Sequence, residues 1–179
     1  MRNTIVWHKP NIMPQSVKDR FTVDFEYVFF FAKSTRYYFE QQLEPHKESS
    51  LQRYRYSLEG SHIPGYVYPN ERRGQPHAWK LNTSGRNKRC VWTVSTKGFS
   101  GAHYAVFPEA LVEPMVRAGC PPRGLVLDPF LGSGTTAVVA RKLARNFIGI
   151  ELNPEYSGMA LERLKPYLEQ KSFHDFNPV

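Results

Sequence analysis

The amino-acid sequence predicts an α/β fold in which helices flank a mixed, mostly parallel β-sheet. A short apolar run over 125–127 predicts a buried strand, and it ends at Asp128. A glycine-rich turn, a helix over 135–143 and a second apolar strand over 147–150 follow, and this second strand ends at Glu151. Strand, turn, helix and strand in this order form a βαβ unit, whose two strands lie parallel in one sheet.

The N-terminal part contains two further strand-like runs, at 4–7 and 26–32. The second run is apolar and aromatic throughout, which predicts a buried strand covered on both faces. Over 41–89 the hydrophobic periodicity disappears, and Gly, Pro, Ser and Asn become frequent. We therefore predict a long loop there.

Two more helices complete the predicted elements. Pro108 opens one that runs to about Ala118, and Asn153 is positioned to cap a closing helix over 154–169. Apolar side chains at helical spacing predict the buried faces of these helices: Leu111, Met115 and Ala118 in the first, and Leu161, Leu164 and Leu168 in the second.

The chain is basic, with a net charge of +8. From Arg36 to Lys97 there are eleven Lys or Arg against five Asp or Glu, interleaved with tyrosine and tryptophan. Such a stretch favours a nucleic-acid partner. The alternative is a solvated insertion that binds nothing.

Composition excludes several classes of protein. Two cysteines, Cys90 and Cys120, are too few for a disulfide framework, and no spacing predicts a zinc or other metal site. The first residues do not resemble a signal peptide, and no apolar run approaches the length of about 18 residues that a membrane helix needs. We therefore expect a cytoplasmic protein without a membrane partner.

The glycine turn predicts a bound small molecule. Gly132 and Gly134 let a ligand approach the backbone, and the N-terminus of the following helix favours an anionic group. Glu151, at the end of the second strand, can accept hydrogen bonds from a ribose diol, so the ligand is expected to be of the adenosine type. Two alternatives remain open. The pattern Gly132-x-Gly134-x-x-Ala137 also fits a dinucleotide fingerprint, although only 28 residues follow Glu151, and a plain glycine-rich turn fits as well.

Three consecutive segments resemble motifs of the β-class DNA amino-methyltransferases, in the order that this family uses. Residues 101–111 (GAHYAVFPEAL) resemble motif X, 128–136 (DPFLGSGTT) resemble motif I, and 149–156 (GIELNPEY) resemble motif II. Residues 5–20 and 26–39 are similar to the later half of the family's catalytic region, and the similarity is weakest over 41–85.

The resemblance implies a Rossmann-like methyltransferase fold, circularly permuted and incomplete at its N-terminus. It implies one domain over 1–179, in which 1–40 are the remainder of the catalytic region and 41–97 a target-recognition insertion. Residues 98–170 would then bind the cofactor, and 171–179 would be a tail.

The implied cofactor is S-adenosylmethionine. Asp128 would bind its ammonium group, Phe130 would form a flat wall, and Glu151 would bind the ribose. Thr135 and Thr136 would contact the carboxylate, while residues of motif X would close the far side. The complete predicted set is His103, Phe107, Pro108, Asp128, Phe130, Gly132, Ser133, Gly134, Thr135, Thr136 and Glu151. For His103 an ordinary structural role is the alternative.

The implied macromolecular partner is double-stranded DNA, bound largely through its phosphates. We expect these contacts from basic residues of the insertion and its flank: Arg53, Arg55, Arg72, Arg73, Arg86, Lys88 and Arg89. A homodimer is a further expectation for the partners of this chain.

One family motif has no counterpart. The family's catalytic tetrapeptide is Asp, Ser or Asn followed by Pro-Pro and an aromatic residue, and no such tetrapeptide occurs here; Cys120-Pro121-Pro122-Arg123 lacks both ends. We therefore identify no catalytic residue. The expected function is transfer of methyl to an exocyclic amino group of a DNA base, by a chain that a separate upstream polypeptide completes. The blocks 13–20 and 85–89 resemble members of the family that methylate cytosine-N4, so the resemblance favours cytosine-N4 over adenine-N6. A catalytically inactive remnant that binds DNA, cofactor or both is the alternative.

Overall fold

The computed structural model describes residues 1–58, 82–96 and 106–168. From residue 109 onward helices and short strands alternate, as the sequence pattern predicts. In chain order the elements are β1 (Asn3–His8), β2 (Phe25–Phe30), β3 (Leu43–Glu44), α1 (Glu48–Leu58), β4 (Arg86–Asn87), β5 (Val91–Thr93), α2 (Glu109–Gly119), β6 (Leu125–Asp128), α3 (Thr135–Lys142), β7 (Asn146–Gly149) and α4 (Pro154–Leu168).

The predicted βαβ unit is present. Strands β6 and β7 pair in parallel, with Leu125 opposite Asn146 and Asp128 opposite Gly149. Helix α3 connects the two strands and lies between α2 and α4: Val139 packs with residues of α2, and Val138 packs with Leu164 of α4. Because α3 is buried along most of its length, it forms the centre of the core on this side of the sheet.

A second sheet is built around β1, which pairs antiparallel with β2 and parallel with β5. Ile5 and Trp7 point to its covered face and are buried, and the indole Nε1 of Trp7 donates to the carbonyl of Val94 at 2.8 Å. Asn11 joins the loops after β1 and β5, because its side chain exchanges hydrogen bonds with the backbone of Thr96.

The prediction that β2 is covered on both faces is wrong, and so is the prediction that β6 is a buried strand. Leu125 and Leu127 of β6 are 59% and 60% exposed, whereas Val126 between them packs against the helical core. Along β2 and the residue after it, a ladder of aromatic rings is likewise exposed, with neighbouring centroids 5.3–6.3 Å apart: Phe25, Tyr27, Phe29 and Phe31. The described helices cover one face of the β6–β7 pair, so residues of the opposite parity face solvent.

A buried arginine fastens the C-terminal end of α3. Arg145 is 5% exposed and donates from Nε and Nη2 to the carbonyl of Cys120, at 3.1 and 2.9 Å. Its Nη1 donates to the carbonyl of Leu143 at 2.6 Å, and Glu40 lies 3.6 Å from Nη2. The guanidinium therefore donates to carbonyls at the C-terminal ends of α2 and α3. Helix geometry leaves such terminal carbonyls without a partner inside the helix.

Residues 42–88 group into a compact unit of their own, separate from 1–41 and 89–179. Within its described part, β3 and β4 form a short antiparallel ladder, and α1 is a helix where we predicted a loop. Few apolar residues recur at helical spacing in α1, so the hydrophobic pattern did not reveal it. Acidic Glu48 in its first turn and basic Arg55 in its last turn match the helix dipole.

None of the helices within the described ranges is long and apolar enough to cross a membrane.

Candidate functional site

The turn after β6 requires glycine at two positions. Gly132 and Gly134 have φ values of 55° and 83°, in the left-handed region that side chains disfavour. A Cβ atom on Gly134 would lie 2.7 Å from the Cβ of Ala160 in α4, so this residue also permits close packing. The turn is closed by hydrogen bonds from Leu131 N to the carbonyl of Ile150 and from Gly134 N to the carbonyl of Leu131.

Glu151 connects the two strand ends at the carboxyl edge of the β6–β7 pair. Its Oε2 accepts from the backbone N–H of Gly132 at 2.8 Å, and its Oε1 accepts from that of Asn153 at 2.9 Å. Asn153 in turn caps α4, because its Oδ1 accepts from Glu155 N at 2.9 Å, and this confirms the predicted cap. The carboxylate is therefore held in one orientation beside the glycine turn.

The hydroxyl groups of the turn face two directions. Ser133 and Thr135 are buried, and both oxygens accept hydrogen bonds from Nη1 of Arg163 in α4, at 2.9 and 3.1 Å. Thr136, the next residue, lines an open cleft. Of the three hydroxyl-bearing residues predicted to contact a ligand, Thr136 is the one that lines this cleft.

The cleft has a volume of about 610 Å³ and brings together residues of two of the three motif segments, whereas Gly132, Gly134 and Glu151 are not among the residues that line it. Phe107 of the motif X segment and Asp128, Phe130 and Thr136 of the motif I segment line it. Asp128 Oδ1 accepts from Phe130 N at 3.0 Å, and the Phe130 ring is 88% exposed. The remaining walls are mostly apolar and come from β1, β2, α2 and β6, including Trp7, Tyr27, Leu111, Val116 and Leu127.

The start of α2 is linked electrostatically to α3 and α4. Pro108 precedes the helix and is buried, and the ring of Phe107 contacts that of Trp7 edge-to-face at 6.1 Å. Glu109 accepts a hydrogen bond from Lys142 at 2.5 Å and lies 3.9 Å from Arg163. The hydrogen bond to Glu109 raises the pKa of Lys142 above its ordinary value.

The predicted DNA-contact residues have different surroundings. Arg53 and Arg55 are exposed on α1, and Arg89 is exposed as well. Arg86 is partly buried in an ion pair with Glu44 at 2.8 Å, and Lys88 is half-buried. Arg72, Arg73 and His103 lie outside the described residues. In the described part of the chain, no group of three His, Cys, Asp or Glu side chains could hold a metal ion.

Comparison with known proteins identifies the family of this chain. Residues 1–162 match the model of a family described as DNA methylase (N6_N4_Mtase). The chain belongs to this DNA methylase family. The resemblance to amino-methyltransferases that the sequence predicts is therefore confirmed.

Curated members of the family support the assignment. Over 166 residues the chain is 40% identical to the type II methyltransferase M.Cfr9I of Citrobacter freundii and 37% identical to M.SmaI of Serratia marcescens. Both alignments cover 92% of this chain, but only 44% and 46% of the respective relative. The chain thus spans about half the length of the curated DNA methylases that it matches.

Solved structures confirm the fold class. A crystal structure of an M1.HpyAVI–SAM complex superposes with a TM-score of 0.56 at 27% identity, covering 91% of this chain and 61% of that one. The PvuII DNA methyltransferase, described as cytosine-N4-specific, gives 0.59 at 20% identity, covering 89% and 49%, and supports the fold alone. The methyltransferase fold is therefore confirmed for this DNA methylase chain.

Sequence reasoning did not find Arg163 or Ala160. Both lie in the predicted closing helix, where the hydrophobic pattern distinguishes buried from exposed positions but does not show which residue contacts the glycine turn. A cation one turn after a small residue, Ala160-x-x-Arg163, is the local signal that could have suggested a contact with backbone carbonyls.

Proposed function

We propose that this chain is the cofactor-binding part of a DNA amino-methyltransferase, which transfers methyl from S-adenosylmethionine to an exocyclic amino group of a base. The observation that carries the proposal is the placement of Glu151. Its carboxylate is fixed by Gly132 and Asn153 at the carboxyl edge of two parallel strands, where ligands of open α/β sheets bind. Family membership and the similarity to the structure of an M1.HpyAVI–SAM complex support the same ligand.

The residues present suit this cofactor. A cleft of about 610 Å³ is within the range for small-molecule sites, and its mixture of apolar walls with a few polar groups suits adenosine and an amino acid. We assign Glu151 to the ribose hydroxyls, Asp128 to the ammonium group, and Phe130 with Phe107 to the flat or apolar surfaces. When bound, S-adenosylmethionine supplies an electrophilic methyl group on a sulfonium. Gly132, Gly134 and Thr136 would contact its amino-acid part.

The groups that hold the target base are proposed to lie in a further polypeptide segment. A base in a duplex must leave the stack to reach a cofactor, and its amino hydrogens then need acceptors and its ring a stacking partner. The family's Pro-Pro tetrapeptide would provide both, and residues 1–179 contain none. We favour cytosine-N4 as the methylated atom and cytoplasmic double-stranded DNA as the substrate, and a homodimer remains a proposal.

The decisive experiment is titration calorimetry of the chain with S-adenosylhomocysteine, S-adenosylmethionine and NAD. We expect the two sulfur ligands to bind, and Glu151→Ala to weaken binding by about 1–3 kcal/mol, because a carboxylate that accepts hydrogen bonds is lost. Glu155→Ala is the matched control, since Glu155 is an exposed acidic residue only four positions away. Preferential binding of NAD would overturn the proposal, and equal affinity of both variants would remove Glu151 from the site.

DNA binding by α1 is tested separately. Arg53 and Arg55 are exposed on one helix, and phosphate contacts would make affinity fall steeply as salt rises. Replacing both by Ala should weaken binding to mixed-sequence duplex DNA and flatten the salt dependence. The control is Arg117→Ala, which removes a surface arginine that is already paired with Glu113. An unchanged dependence of affinity on salt in the double variant would favour the alternative, in which this segment is a solvated insertion that binds nothing.

An inactive remnant that binds cofactor, DNA or both is the second candidate. The observation that favours it is the missing catalytic tetrapeptide. The reading frame immediately upstream of the first codon discriminates between the two candidates, because a frame that encodes Ser- or Asp-Pro-Pro-aromatic supports the enzyme.

A further inference from the structure

Arg163 contacts the glycine turn but is not among the residues that line the cleft. Its Nη1 lies 2.7 Å from the carbonyl oxygen of Ser133, in addition to its hydrogen bonds with the hydroxyls of Ser133 and Thr135. Its Nη2 lies 3.9 Å from Glu109. One guanidinium thus joins the turn, the first residue of α3 and the first residue of α2.

From this geometry we propose that Arg163 is a positioning residue for cofactor binding, which fixes the glycine turn without touching the ligand. The inference rests on the proposed function. It assigns to α4, through Arg163, the task of holding the backbone that Gly132 and Gly134 present to the cofactor.

The turn needs such support because glycine gives the backbone conformational freedom on both sides of Ser133. The peptide unit between Ser133 and Gly134 is planar, so fixing both of its polar atoms fixes its orientation. The Gly134 N–H donates to the carbonyl of Leu131 at 3.0 Å, and the Ser133 carbonyl accepts from Arg163. With Glu151 holding the Gly132 N–H, the turn is fixed from both sides.

Arginine suits this position better than another cation. The guanidinium is a planar fork whose nitrogens can serve the turn and Glu109 at the same time, whereas the ammonium of lysine is a single point. Hydrogen bonds from a charged donor are stronger than neutral ones, and Ser133 and Thr135 are 3% and 5% exposed, so water does not replace the guanidinium easily. Arg163 also lines a second cavity, of about 680 Å³, together with Phe107 and Pro108.

The test compares two arginines that contact opposite ends of α3: Arg163 of α4 at its N-terminal end, and Arg145 at its C-terminal end. Arg163→Met and Arg163→Lys alter the end next to the turn, and Arg145→Met alters the buried arginine at the far end. Affinity for S-adenosylhomocysteine is measured by calorimetry on the complete 179-residue chain, at a temperature where circular dichroism shows each variant to be folded. Thermal midpoints without ligand are recorded for all variants.

We expect Arg163→Met to weaken binding roughly tenfold or more. Arg163→Lys should recover part of that loss. Arg145→Met should lower the thermal midpoint at least as much but change the affinity by less than about twofold, since it lies away from the turn.

Three results would overturn the inference. The first is affinity in Arg163→Met within about twofold of the wild type, and the second is an equal loss in Arg145→Met, which would indicate general loosening. The third result applies if Arg163→Met does not fold: it is an affinity of Arg163→Lys equal to that of the wild type. A wild-type chain that binds no S-adenosylhomocysteine would instead reject the proposed function, and the inference with it.

Discussion

The two faces of the β6–β7 pair differ sharply in what covers them. On one face, Val126 and Phe147 pack against the helical clusters around α3. On the other face, four aliphatic side chains of these strands and the residue after them are about half exposed: Leu125, Leu127, Ile148 and Ile150. The strands are equally apolar in both directions, so the sequence is suited to a sheet covered on both faces.

This difference shows that the chain has a packed core on one face of the β6–β7 pair and an exposed apolar surface on the other. Parallel sheets normally carry helices on both faces, and continuous apolar strands are the usual mark of that arrangement. The exposed aromatic ladder of β2 shows the same one-sided covering in the other sheet. Exposed apolar patches of this kind mark places where a ligand or another polypeptide packs, and Leu125, Leu127 and Tyr27 are among the residues that line the cleft. The relatives are about twice as long as this chain, so they contain enough sequence to cover such faces.

The prediction with the largest expected effect concerns methyl transfer, and it tests whether the bare faces belong to an incomplete enzyme. We expect residues 1–179 alone to transfer no methyl to DNA, because nothing identified in the chain holds the flipped base, and correct positioning of the reactants is worth roughly 7–11 kcal/mol. Adding the polypeptide that corresponds to the unmatched part of M.Cfr9I should restore transfer. The measurement is incorporation of tritium from labelled S-adenosylmethionine into mixed-sequence duplex DNA.

The control for this assay is the added polypeptide by itself, which should also be inactive. Robust incorporation by residues 1–179 alone would show that the groups that hold the base lie within this chain. The bare faces would then have no connection with a missing catalytic part.

A smaller effect separates the covered and bare faces directly. Leu164 is 2% exposed and Leu127 is 60% exposed, so the same change to Ala tests both surfaces. Leu164→Ala should lower the free energy of unfolding by about 2–5 kcal/mol, because it leaves a cavity in the core. Leu127→Ala should cost less than about 1 kcal/mol. Urea denaturation followed by circular dichroism measures both, and similar costs would mean that the face bearing Leu127 is covered in solution.

The smallest effect concerns the pair Lys142–Glu109 at the edge of the covered face. Folding raises the pKa of Lys142, so the pair stabilises the protein fully below the unfolded pKa of about 10.4 and loses its effect as pH rises through the higher folded value. Both side chains are 39% exposed, so we expect less than about 1 kcal/mol. The difference in stability between wild type and Lys142→Met, measured from pH 8 to pH 11.5, should shrink at the alkaline end. A difference that grows there would contradict this assignment, and Lys165→Met is the surface control.

The elements of the βαβ unit and the position of Glu151 could be predicted from the sequence, because each depends on local chemistry. Glycine is needed where φ is positive, as at Gly134, and Asn153 followed by proline is a strong helix start. Both signals hold whatever packs against the βαβ unit, provided that its two strands stay parallel.

The rest depends on contacts between distant residues, which one sequence does not reveal. Burial of Leu127 was predicted wrongly because an apolar strand shows only what could be covered, and not what is. Helix α1 was missed because its residues carry charge rather than an apolar stripe. The orientation of Thr135 toward α4, and not toward the cleft, follows from Arg163, which lies far along the chain. Whether Thr135 also contacts a ligand stays a prediction.

The contact between Gly134 and Ala160 also limits which residue can stand in the turn. A methyl group added at position 134 would lie 2.7 Å from the Cβ of Ala160, so any residue other than glycine there would push α4 away from the turn. Because Arg163 lies on the same helix, that displacement would also draw its guanidinium away from Ser133.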